Sequence, residues 1–103
     1  MPSSKNFLDF VLEELSHIGY IDYRAMMGEY ILYYKGKVVG GIYDDRILVK
    51  ITPSSKRLLT DATLEMPYDG AKEMLAVCDI ENKELMKELF ESMYDELPSP
   101  KKK

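Results

Sequence analysis

The stretch YILYYKGKVVGGIYDDRILVKI, residues 30–51, decides the fold. Lys35-Gly36 and Asp44-Asp45 divide it into three apolar runs, Tyr30–Tyr34, Lys37–Tyr43 and Arg46–Ile51. Glycine accepts positive φ at the first break and aspartate tolerates it at the second, so each reads as a tight hairpin turn. If both loops have two residues, pairing follows by counting. Tyr33 then faces Val38, Ile31 faces Gly40, Ile42 faces Ile47, Gly40 faces Val49 and Val38 faces Ile51. Strand side chains alternate, so these residues share one apolar side, the side helices are expected to cover. The opposite side collects Tyr30, Leu32, Tyr34, Val39, Tyr43 and Leu48 among Lys37, Arg46 and Lys50, with Gly41 leaving a flat patch. An open face with so many large apolar groups marks a binding surface. Glu29 falls by the same count on the covered side, so pairing is expected to begin at Tyr30. A bulge would exchange the faces locally.

On the N-terminal side, Phe7, Val11, Leu15 and Ile18 recur at spacings of three and four, with Leu8 and Leu12 widening the stripe. That is a helix, capped by Ser4 and stopped by Gly19. Between it and the strands lies Met26-Met27-Gly28, where Gly28 points to a bend or a close backbone approach. On the C-terminal side, Thr52 and Pro53 open a short helix. Ala62–Tyr68 and Ala71–Cys78 read as a second hairpin around Asp69-Gly70, Leu64 facing Leu75, with a helix over Ala71–Cys78 as the competing assignment. Leu85, Met86, Leu89, Phe90 and Met93 form the stripe of a last helix, with Asp79 available as cap. The order α-β(3)-α-β(2)-α predicts an α+β two-layer sandwich, an antiparallel sheet with its helices on one face. Residues 1–97 read as one domain and 98–103 as a solvated Pro/Lys tail.

Composition agrees with one soluble domain: 103 residues, 46% apolar and 31% charged. No run reaches the length of a membrane span, and the acidic residues in the N-terminal segment do not suit a signal peptide, so a cytoplasmic location is expected. Without the three terminal lysines the body carries 11 basic and 18 acidic residues, a net charge of −7. Such a body is poorly built for neutralising phosphates, which argues against direct DNA binding.

Chemical signatures are sparse. No Gly-rich phosphate loop is present, and the single His17 and single Cys78 provide no zinc motif. His17 near a helix C-terminus reads as structural, Cys78 as a small packed hydrophobe, and Asp44-Asp45 as turn residues. Met86, Met93 and Met66 read as core. No cofactor is expected.

The segment RAMMGEYILYYKGKVVGGIYDDRILVK, Arg24 to Lys50, resembles the N-terminal domain of the TfoX/Sxy competence regulators. Arg24, Met26, Gly28, Tyr30, Tyr33, Gly36, Lys37, Asp44, Asp45 and Lys50 fit the family's ordered pattern, while Met27, Glu29 and Ile31 depart from it. The resemblance implies a fold similar to type III secretion chaperones, a bacterial cytoplasmic protein linked to regulation of DNA-uptake genes, and no established enzymatic activity. The first functional expectation is therefore a non-catalytic protein-interaction domain, a homodimer or the partner of a regulatory protein, using the open sheet face. On that expectation a charge at Tyr34 or Val39 breaks association while the fold survives. Two further expectations compete with it. One is single-stranded nucleic-acid binding on the same face, its tyrosines stacking bases with Lys37, Arg46 and Lys50 near phosphates. The other is a small-molecule or catalytic site around Arg24, Met27, Gly28 and Lys50.

Overall fold

The computed structural model describes residues 4–26 and 28–98. Helix α1 (Lys5–Leu15) precedes strands β1 (Ile21–Met26), β2 (Glu29–Tyr34), β3 (Lys37–Tyr43) and β4 (Arg46–Val49); helix α2 (Pro53–Leu58), strands β5 (Leu64–Glu65) and β6 (Met74–Ala76) and helix α3 (Lys83–Tyr94) follow. All six strands form one antiparallel sheet in the order β1-β2-β3-β4-β6-β5. Leu8, Val11 and Leu15 of α1 and Met86, Leu89, Phe90 and Met93 of α3 join Leu32, Tyr34, Ile42, Ile47 and Val49 of the sheet in one buried cluster. The α+β sandwich is therefore present, with a correction to its topology. Four strands, not three, precede α2. The additional one is β1, an edge strand whose residues after Ile21 are all exposed, so no apolar alternation announces it.

Local chemistry accounts for the element ends. The Ser4 hydroxyl accepts from the Phe7 N–H at 3.1 Å and starts α1. Lys35 and Gly36, and Asp44 and Asp45, all have positive φ between 51° and 85°, the left-handed pair that a two-residue turn requires. Thr52 and Ser55 form a reciprocal capping box at α2. The cap of α3 is Asn82, whose side chain accepts from Leu85 N–H, rather than Asp79. Asp79 instead offers its carbonyl to the Asn82 N–H at 2.9 Å.

A β-bulge changes which residues face the helices. Tyr34 pairs with Lys37 and Tyr33 with Val38, but Leu32 pairs with Gly40, leaving Val39 as an extra residue in β3. Ile31 consequently faces Gly41 rather than Gly40. Beyond the second turn the counted register holds, with Gly40 opposite Val49 and Ile42 opposite Ile47. The Val38–Ile51 pair does not form, because β4 ends at Val49 and the Lys50 N–H donates to Val39 O. The extra residue reverses the β2 faces relative to the uninterrupted count. Tyr30, Leu32 and Tyr34 turn toward the helices, and Ile31, Tyr33 and Val38 turn outward. Glu29 belongs to β2 after all, opposite Met26, and lies on the outer face.

The second hairpin keeps its expected pair, Leu64 opposite Leu75, and Met74–Ala76 is a strand rather than a helix. Its ladder is short, however, and residues 66–73 form a broad loop that leaves Met66 exposed instead of in the core.

Glu96, just beyond α3, ties that helix to α2. Its carboxylate accepts from the Ser54 hydroxyl at 2.6 Å and the Ser54 N–H at 3.0 Å. Those bonds, the hydroxyl's first, hold the Glu96 carboxyl below its ordinary pKa. A carboxyl depressed in the folded state adds stability above its unfolded pKa and loses it as pH falls through the folded value. Urea unfolding from neutral to acid pH should therefore show a shallower decline in stability for Glu96→Gln than for wild type. Identical slopes would dismiss this lock.

Candidate interaction surface

The residues expected on the open face divide into two groups. Leu32 and Val39 are fully buried in the helix-covered core, and Tyr34 is 2% exposed with its ring against Phe90 and Tyr94. Tyr30 packs on the same cluster, its ring edge-on to Tyr23 at 5.9 Å. Lys37 also belongs to the helix side, donating to the Tyr94 carbonyl at 2.8 Å with its ammonium 4.0 Å from that residue's ring centroid. A cation there complements the carbonyl end of α3. These five residues are structural, and the bulge is the reason.

Tyr43, Arg46, Leu48 and Lys50 remain on the outer side. Leu48 is closed to solvent. The Tyr43 ring occupies the patch that Gly41 was expected to leave flat, since a Cβ on Gly41 would stand 2.6 Å from ring atom Cε2. Burial, then the neighbouring Tyr68, then Glu29 raise the Tyr43 phenol above its ordinary pKa, so it stays neutral. Arg46 is committed within the sheet, its Nε donating to Tyr43 O and its guanidinium paired with Glu65.

Beside these residues the 66–73 loop builds a wall that the sequence did not announce. It leaves an open groove of about 670 Å³ along β3 and the residues after β4. Val38, Tyr43, Ile51, Tyr68 and Met74 supply its apolar lining, and Lys50, Lys72 and Glu73 add charges of both signs. Of these, only Tyr43 and Lys50 belong to the face expected from the sequence; Val38, Ile51, Tyr68, Lys72, Glu73 and Met74 do not. The Val38-Val39 doublet was the available signal, because two like residues in succession permit either to face inward.

The remaining chemical candidates take structural places. His17 Nε2 lies 3.0 Å from Lys83 O, joining the end of α1 to the start of α3. Asp45 accepts from the Ser4 N–H at 2.9 Å, and Glu29 accepts from the Asp44 N–H at 3.0 Å. Cys78 corrects its expectation: it is exposed, because Leu75 and Val77 take the inward positions of that segment. Arg24 and Lys50 do not meet. They belong to β1 and to the end of β4, three strand spacings or about 14 Å apart. Met26 is exposed at the end of β1 and Gly28, at φ +85°, lies in the turn into β2; Met27 lies outside the described residues. Among the described residues no group of three or more His, Cys, Asp or Glu side chains is placed to hold a metal ion, and no helix is long and apolar enough to cross a membrane.

Over 102 residues the chain is 29% identical to an uncharacterized 12.7 kDa protein in the trpE 5′ region of Spirochaeta aurantia, a match spanning 98% of this chain and 89% of that relative. No solved structure is a significant match. The family model of the TfoX N-terminal domain matches residues 13–95, from the middle of α1 through α3. With the ordered pattern from Arg24 to Lys50 laid over β1–β4, the chain belongs to the TfoX N-terminal domain family.

Proposed function

We propose that this domain is a non-catalytic bacterial regulatory module, acting in the cytoplasm by binding protein, a regulatory partner or a second copy. One observation carries the proposal: half-buried Val38 and Tyr43 and exposed Ile51 and Tyr68 are gathered on the outer sheet face and its margin. Val38, Tyr43, Ile51 and Tyr68 line a groove with charged side chains of both signs beside them, the mixture that anchors protein interfaces. The family's regulatory association supports the same reading. Single-strand stacking loses two of its intended platforms, since Tyr34 is core and Tyr30 packs against it.

A photo-crosslinking residue in place of Tyr68 tests the groove in living cells. Discrete protein adducts are expected, and Val38→Glu, which is expected to leave the fold intact, should reduce their yield at least about tenfold. Undiminished adducts in the variant would remove the groove from the interface. Oligonucleotide binding with a steep loss in salt, and no protein adduct, would replace protein binding by nucleic-acid binding.

A further inference from the structure

The sheet has two edges of unequal character. The β5 edge offers two residues, whereas β1 offers six, paired on one side only, with β2. An uncovered strand edge is a template for another strand. Strand β1 also places Tyr23 and Met26 in solvent, 44% and 47% exposed, and Tyr20 just before it is 74% exposed. A recess of about 290 Å³ lies beside the strand, lined by Leu12, Leu15, Tyr20, Ile21 and Tyr23.

The hydrogen-bonding parity of β1 limits what can pair there. Tyr20 O accepts from Lys35 N–H, and the hairpin closes at Met26 opposite Glu29, so the even-numbered residues direct their backbone groups toward β2. Ile21, Tyr23 and Ala25 direct theirs to the open edge. An antiparallel copy must join these outward residues to each other, which leaves three central registers. Centring on residue 22 sets Asp22 against Asp22, and centring on residue 24 sets Arg24 against Arg24. Centring on Tyr23 sets Asp22 against Arg24 of the second copy, twice, and Ile21 against Ala25. It also sets Tyr20 against Met26. Asp22 and Arg24 share the outer face, both are exposed, and among the described residues neither has an ion-pair partner within the chain.

We infer that β1 is a self-association edge: two copies pair antiparallel about a twofold axis at Tyr23, with reciprocal Asp22–Arg24 ion pairs. The two six-stranded sheets then form one continuous sheet. Asp22 and Arg24 occupy a non-hydrogen-bonded pair, the position at which facing side chains approach most closely. The inference rests on the protein-binding reading above, and names the second copy as occupant of this edge, away from the groove.

Sedimentation velocity over a wide concentration range tests it on the full chain. Wild type should dimerise. Asp22→Arg and Arg24→Asp each turn both attractions into repulsions, and should raise the dimer dissociation constant about tenfold or more. The double exchange, Asp22→Arg with Arg24→Asp, should restore it to near the wild-type value, which a misfolded variant could not do. Circular dichroism verifies that each protein is folded. A wild type that stays monomeric at every concentration overturns self-association and leaves the groove's partner binding standing. Dimers indifferent to both single reversals, or not rescued by the double exchange, overturn this edge and register.

Discussion

Val39→Glu is expected to abolish the folded state, while Val38→Glu, one residue earlier, is expected to leave it intact. Val39 has no solvent exposure and belongs to the cluster under the helices, whereas Val38 is half-buried on the outer face. A carboxylate at position 39 is either charged without a partner or protonated and poorly satisfied, at a cost of several kcal/mol. The lost packing of the valine adds to that. Domains of this size have about 5–15 kcal/mol in total, so the transition in a thermal melt followed by circular dichroism should be lost or moved far down. At position 38 the carboxylate reaches water, and a change within about 1 kcal/mol is expected. The pair isolates the bulge. An unbroken β2–β3 ladder would put Val38 inward and Val39 outward, and the two variants would exchange behaviour. It also revises the expectation that Val39→Glu could probe association in an intact fold.

Gly40→Ala should be nearly as damaging, for a different reason. A Cβ built there lies 2.1 Å from Leu48 O, 2.8 Å from Val49 Cα and 3.0 Å from Leu48 C. All three are backbone atoms of β4, so no side-chain rotation relieves the contact, and the β3–β4 ladder must open around the paired Gly40 and Val49. Overpacking of a well-filled interior costs about 1–3 kcal/mol, and a backbone obstacle belongs at or above the top of that range. Urea unfolding should show a midpoint lowered accordingly. Gly41→Ala meets the Tyr43 ring as well as Tyr30 O, and the ring at least can turn away. A Gly40→Ala protein as stable as wild type would show that β4 has freedom to move at this point.

Both variants concern the same short region, and it is here that the local signals were incomplete. The turns at Lys35-Gly36 and Asp44-Asp45, the stripe on α1 and the stripe on α3 were all legible, because each depends on residues within a few positions of one another. The pairing of Ile42 with Ile47 and of Leu64 with Leu75 followed from loop chemistry and counting. β1 carries no such signal, because an edge strand with exposed residues has no need of an apolar alternation. The groove could not be seen because its second wall, Tyr68 and its neighbours, comes from a loop brought to the sheet by folding.

The amino-acid order by itself determined the layer type, the helix faces and the strands from Tyr30 to Val49, since apolar period and turn-forming residues act locally. It also carried the family pattern from Arg24 to Lys50. Only the tertiary structure decided which face of β2 meets the helices. The period of a strand is two, so one extra residue reverses every side chain beyond it, and Val38-Val39 satisfies the local pattern with either valine inside. The core under α3, which receives Tyr34 against Phe90 and Tyr94, selects Val39. That choice moves the intended binding tyrosines into the interior and leaves Val38, Tyr43 and the β1 margin on the outside.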